Sequence, residues 1–197
     1  MDAQLGNLDS VERALVQVGA AVVLTGDPDR IAAARTVVFP GQGSFGPHTD
    51  DIVDGALGAA LRVVIERGDP FLGICLGMQL LFDHSDEAGG HDGLRVLPGQ
   101  VRRFPEGEQA FPGTRRLKVP HMGWNDVQPV GDHFYFAHSY YAVAEEPSDV
   151  MWTARYGTVE FPAAICRGNV FGCQFHPEKS QWAGLRFLRS FILGGRT

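Results

Sequence analysis

A chain of 197 residues, 44% apolar and 20% charged, is long enough for one buried core and has the composition of an ordinary globular domain. A formal charge of −6 without a Lys/Arg run argues against a nucleic-acid surface, which needs clustered cations to neutralise phosphates. No stretch approaches the ~18 consecutive apolar residues of a membrane span, and Met1–Leu5 shows no basic region ahead of an apolar one, so neither a span nor a secretory signal is expected. Cys75, Cys166 and Cys173 contain no Cys-x-x-Cys pair, which fits neither a disulfide framework nor a zinc site and points to a reducing cytosol. The densest basic patch, Arg115, Arg116 and Lys118, reads as a solvated loop or strand end.

In chain order, Asp9 and Glu12 have capping-box spacing ahead of Val11, Ala14, Leu15 and Val18, which predicts an amphipathic helix stopped at Gly19. Ala21–Leu24 reads as a short buried strand and Thr36–Phe39 as another. A helix is expected from about Ile52 to Arg67, with Leu57, Leu61, Val64 and Ile65 on its apolar side. Pro70–Ile74 is a strand ending at Cys75, with a helix following to about His84. The second half offers short strands near Arg95–Leu97, His133–Ala137, Tyr141–Val143, Met151–Arg155, Ala163–Cys166 and Val170–Phe175, and a last amphipathic helix from Gln181 to Leu193. Alternating strands and helices followed by a strand-rich half predict a single α/β domain over residues 1–197, with a central mixed sheet flanked by helices.

The chemistry concentrates at Gly73-Ile74-Cys75-Leu76-Gly77, the thiol form of a Gly-x-nucleophile-x-Gly elbow, with a strand before it and a helix after it. Side chains at the flanking positions would collide in so tight a turn, and a helix N-terminus favours negative charge on the sulfur. The Leu76 N–H is a candidate oxyanion donor. Taken alone, the pentad fits a buried structural cysteine equally well. Cys166 and Cys173 lack this context and read as packing residues. A thiolate needs a base and the base an orienting group. Of seven histidines, His176 closes an apolar strand and is followed two residues on by Glu178, which makes a Cys75–His176–Glu178 triad. Gly41-x-Gly43-x-x-Gly46 also matches a dinucleotide fingerprint. Because Pro47 and His48 follow the last glycine, no helix is expected to open where a pyrophosphate would need one.

The elbow with Met78-Gln79-Leu80-Leu81-Phe82, and Phe175-His176-Pro177-Glu178, resemble the class I (triad-type) glutamine amidotransferases, a flavodoxin-like α/β fold. Pro40–Gly46, Pro120-His121-Met122-Gly123-Trp124-Asn125 and His138-Ser139-Tyr140-Tyr141 are similar, within that class, to glutaminase subunits of imidazole glycerol phosphate synthases. The resemblance implies that Cys75 is the nucleophile, His176 the general base and acid, and Glu178 the orienting carboxylate. It implies an oxyanion hole from the backbone of Leu76 and of Gln42 and Gly43, and a glutamine site from Gly41, Gly43, Gln79, Glu87, Ser139 and Tyr140. Ammonia would pass to a separate (β/α)8-barrel cyclase in a heterodimer, near Met122, Gly123, Trp124 and Asn125. No cofactor or metal is implied.

Two departures stand out. Family members begin with an apolar strand and an Asp-Tyr-Gly-x-Gly-Asn-Leu-like turn, of which only Gly6-Asn7-Leu8 is present; either the start lies upstream of Met1 or the first strand is lacking. Gln42 stands where an apolar residue is usual and would alter how readily the loop takes its active shape. Two competing readings remain at this point: a class I glutaminase serving pyridoxal phosphate, anthranilate or GMP synthesis, and a catalytically silent binding homologue.

Overall fold

The computed structural model describes residues 5–41, 43–106 and 118–194, with side chains from residue 8 onward. Helix α1 (Leu5–Gln17) turns Val11, Ala14 and Leu15 into the core at the expected spacing. It begins before Asp9, so Asp9 lies within the helix and does not cap it, contrary to the capping-box reading. Ala21–Leu24 is not a strand, and Val23 and Leu24 are 64% and 50% exposed. An apolar run becomes a strand only when a neighbour pairs its amides, and no described strand precedes Val37. Helix α2 (Pro28–Ala33) opens on Asp27, whose side chain accepts the Asp29 N–H at 3.0 Å.

Strand β1 (Val37–Gly41) leads to α3 (Pro47–Asp54) and α4 (Ala56–Glu66). The single helix expected over 52–67 is therefore two. Gly55 takes an extended conformation, and a side chain there would strike the Asp51 carbonyl as the chain changes direction. A helix does open directly after Gly46, against expectation, because Pro47 has the φ a first helical residue needs and Thr49 caps it. Strand β2 (Phe71–Cys75) is buried throughout. Helix α5 (Leu76–Gln79) is far shorter than the expected run to His84, because Phe82–Ser85 forms strand β3 and pairs on both sides.

There follow β4 (His91–Asp92), β5 (Leu97–Arg103), β6 (His121–Val127), β7 (Asp132–His138), β8 (Tyr140–Ala144), β9 (Val150–Tyr156), β10 (Val159–Arg167), β11 (Val170–Cys173) and α6 (Gln181–Ile192). Strand β5 starts where the predicted Arg95–Leu97 strand ends, since Arg95 has φ +56°. Strand β6 was not expected as a strand at all. The basic residues Arg115 and Arg116 lie outside the described residues.

The central sheet has the order β1-β2-β11-β10-β9, parallel across β1, β2 and β11 and antiparallel across β10 and β9. A parallel β1–β2 pair needs a crossover, supplied by α3 and α4. The alternation of side chains along β2 sorts the core. Leu72 and Ile74 pack with Val11, Leu15, Phe187 and Phe191 from α1 and α6, whereas Phe71 packs with Leu61 and Val64 from α4. Helices thus cover both faces of a mixed sheet, as composition and periodicity predict. Smaller sheets, β4-β3-β5-β8 and β6-β7, complete the molecule.

Candidate active site

Three strand ends build the site. Strand β2 ends at Cys75, flanked in register by Gly41 at the end of β1, with β11 on its other side closing just before Gln174-Phe175-His176. Cys75 has φ +55° and ψ −111°, a strained conformation for a side-chain-bearing residue, and α5 starts at the next position. The elbow is crowded by backbone. A Cβ on Gly73 would sit 2.5 Å from the Gly77 carbonyl oxygen and one on Gly41 2.5 Å from the Gly77 nitrogen, and one on Gly77 would run into the Phe39 carbonyl. None of these neighbours can swing aside, so Gly77→Ala should force β1 off the elbow. We expect a stability loss of about 3 kcal/mol or more, read by urea denaturation, with loss of Cys75 reactivity. A melt matching the parent protein would show that the turn is not so constrained. Leu76 is the first residue of α5, so its N–H belongs to those a helix leaves without an intrahelical partner.

The imidazole of His176 reaches both neighbours that the sequence assigns to it. Its Nδ1 is 2.9 Å from Glu178 Oε1, and Cys75 lies near enough to the ring to act on its charge. His176 and Glu178 side chains are 5% and 0% exposed, so water does not compete for these contacts. Burial works against a charge on the ring, but Cys75 and Glu178 outweigh it and lift the pKa to about 10. The protonated ring is therefore the stable form at neutral pH. It faces the sulfur as a cation and favours the nucleophilic thiolate. Cys173 behaves in the opposite way: full burial, with Glu178 and Cys75 adding to it, pushes its thiol well up, so it stays a neutral packing residue. Cys166 is only half-buried, less than a packing cysteine would be.

The remaining sequence-assigned residues divide into groups. Gln79 is buried and donates from Nε2 to the Tyr140 carbonyl and to Gln174 Oε1, both at 2.9 Å. Ser139 uses its own carbonyl to accept the Phe104 N–H at 3.0 Å. Glu87 accepts the Phe45 N–H at 2.9 Å, and burial raises its pKa against the lowering effect of that bond. With Gly46 N–H given to Thr49 Oγ1 at 3.0 Å, the entry to α3 is filled from within the chain. The last glycine of the fingerprint thus has its N–H engaged, although a helix does follow it. Gly43 has φ +100° and an open surround. Gln42 lies outside the described residues. Met122 and Trp124 alternate outward on β6 at 64% and 48% exposed, with Gly123 and Asn125 half-buried. Sequence reasoning gives no role to Gln174, although a polar residue closing the apolar run Val170–Phe175 is itself a signal. It is fully buried and places Nε2 3.6 Å from Cys75 Sγ.

The family model for glutamine amidotransferase class-I matches residues 1–193. The chain belongs to this family. Among its curated relatives, the imidazole glycerol phosphate synthase subunit HisH of Salinibacter ruber is 48% identical, covering 97% of this chain and 91% of that protein. The subunit of the same name from Moorella thermoacetica is 47% identical with the same coverage. A crystal structure of a glutamine amidotransferase aligns with a TM-score of 0.66 at 20% identity, over 94% of this chain and 93% of the other, which speaks for the amidotransferase fold.

Proposed function

We infer that this chain, as one domain over residues 1–197, is the glutaminase subunit of an imidazole glycerol phosphate synthase. The carrying observation is the buried imidazole of His176, set 2.9 Å from Glu178 and near enough to Cys75 for the sulfur and the ring to act on each other's charge. In this reading the Cys75 thiolate attacks the side-chain carbonyl carbon of glutamine. The oxyanion is met by the N–H of Leu76 and by an N–H of the Gln42–Gly43 segment. His176 gives its proton to the departing nitrogen, which leaves as ammonia and a thioester remains. His176 then takes a proton from water, hydroxide attacks the thioester, glutamate leaves, and the sulfur is regenerated. Glu178 holds the ring with Nε2 towards the sulfur. Glutamine is held by Gly41, Gly43, Gln79, Glu87, Ser139 and Tyr140.

Ammonia passes to a (β/α)8-barrel cyclase subunit, which forms imidazole glycerol phosphate and AICAR in histidine biosynthesis in the cytoplasm. The two chains form a heterodimer. Met122, Gly123, Trp124 and Asn125 lie at their interface, supported by two large apolar side chains left exposed on one face of β6. Among the described residues no helix is long and apolar enough to cross a membrane. The test is glutamate release from glutamine with and without the cyclase and its ligand. Release that rises on adding the cyclase supports the reading, and no release under either condition ends it. Trp124→Ala should weaken association with the cyclase by about tenfold or more in a titration, since large exposed aromatics anchor interfaces. Unchanged affinity would move the interface elsewhere.

A further inference from the structure

We propose that Gln174 is a fourth member of the nucleophile's site, whose side-chain amide donates to the Cys75 sulfur and holds the thiolate in line for attack. The proposal rests on Cys75 being the nucleophile of the glutaminase reading, and adds a residue outside the Cys–His–Glu triad.

The direction of the Gln174 amide follows from groups that cannot turn round. The Tyr140 carbonyl only accepts, and it takes two bonds, from Gln79 Nε2 at 2.9 Å and from His138 Nδ1 at 2.8 Å. Gln79 must therefore point its NH2 towards Tyr140, and its second N–H meets Gln174 Oε1 at 2.9 Å. Turning the Gln174 amide over would set NH2 against NH2. Its Nε2 is consequently directed at Cys75 Sγ, 3.6 Å away. A thiol is a poor acceptor, whereas a thiolate is a strong one, so this bond strengthens when the sulfur is charged. Gln174 is fully buried, so no water replaces it. The other titratable groups acting on the sulfur are His176, and Cys173, which is coupled to both Cys75 and Glu178. His176 supplies the cation, and Gln174 supplies a neutral donor that neither needs nor changes a proton.

The test is the pH dependence of Cys75 alkylation by iodoacetamide, followed by mass spectrometry of the Cys75 peptide in the full chain. Gln174→Met keeps the volume and removes the donor. The alkylation midpoint should move up by about half to one pH unit, with an unchanged limiting rate at high pH. Gln174→Glu sets a carboxylate beside the sulfur and should move it further. A residue that only fills space would lower the melting temperature and leave the midpoint alone. If Gln174→Met does not fold, Gln79→Met decides: it leaves Gln174 in place, frees its amide to turn, and should give a smaller upward move. Midpoints unchanged within 0.1 unit in the folded variants overturn the proposal. Alkylation consumes no glutamine, so this outcome leaves the glutaminase reading intact. Failure of that reading shows instead as glutamate release that survives loss of Cys75.

Discussion

Alanine at Cys75 should reduce glutamate release by at least about 10⁴-fold while leaving the melting temperature nearly unchanged. The magnitude follows from the loss of covalent catalysis: removing a nucleophile takes away the whole two-step route, and what survives is only what binding and the oxyanion donors give to water attack. The side chain is small and already strained at φ +55°, so replacing sulfur with hydrogen costs little packing. His176→Ala should be nearly as severe, because in the proposed route the same ring faces the sulfur as a cation and protonates the leaving nitrogen. Glu178→Gln should be milder, by roughly one to two orders of magnitude relative to His176→Ala, since it disturbs orientation and the charge on the ring without removing the proton carrier. Cys173 and Cys166 replaced by Ala or Ser serve as controls and should retain activity. Steady-state release at saturating glutamine reads all of these. A Cys75→Ala protein that makes glutamate at the parent rate would end the assignment, and Glu178→Gln matching His176→Ala would mean that Glu178 does more than orient.

Much of this site is legible in the sequence because its parts are local. The elbow needs small residues on either side of the nucleophile, and the pattern Gly-x-Cys-x-Gly states that need directly. The distances from Gly73 and Gly41 to Gly77 show the steric cause. His176 and Glu178 are two residues apart, so their contact is also a local property of one turn. What was illegible depends on tertiary partners. Ala21–Leu24 has a strand's composition but no strand to pair with, and composition does not report that. Phe82–Ser85 looked helical because it continues the apolar run from α5, and only the neighbouring β4 and β5 make it a strand. Gln174 shows the same limit at the site itself. Its importance comes from residues about a hundred positions away, Cys75 and Gln79, which no window along the chain can join. The break at Gly55 lies between these cases: the glycine is visible, but the close approach to the Asp51 carbonyl is not.

Acid should unfold this protein early, and the cause is a buried pair of neutral histidines. His138 Nδ1 faces the Tyr140 carbonyl at 2.8 Å and must donate to it, which leaves Nε2 as an acceptor. That nitrogen lies 2.9 Å from His121 Nδ1, so His121 donates there, and its own Nε2 faces the Asn125 amide. Asn125 is anchored in turn by donating to the Arg155 carbonyl at 2.8 Å. Carbonyls at both ends fix a single arrangement of protons in which both rings are neutral. Protonating His138 would set N–H against N–H, and His121 is stacked between Phe136 and Tyr156 at 4.9 and 4.1 Å. Burial lowers the His121 pKa from 6.5 to about 4. Burial, then repulsion from His121, lowers that of His138 to about 3 despite the bond to Tyr140. The sign is set by proton uptake. Below pH 6.5 the unfolded chain binds two protons that the folded chain refuses, so stability is present above that pH and is lost as the pH falls towards 4 and 3. His176 works the other way at the top of this window: its raised pKa of about 10 keeps it protonated when folded while the unfolded ring titrates near 6.5, so it gives back about 1 kcal/mol between pH 7 and pH 5 and loses its contribution on the alkaline side. Each refused proton costs about 1.4 kcal/mol per pH unit, so the pair should remove on the order of 4 kcal/mol between pH 7 and pH 5. For a domain of ordinary stability, about 5–15 kcal/mol, this is a large share. Urea denaturation across that range should show the midpoint falling steeply, and the two ring signals should stay at their neutral positions in NMR throughout. Ring signals that titrate near pH 6.5 in the folded protein would mean that the two imidazoles accept charge in place and that acid acts elsewhere.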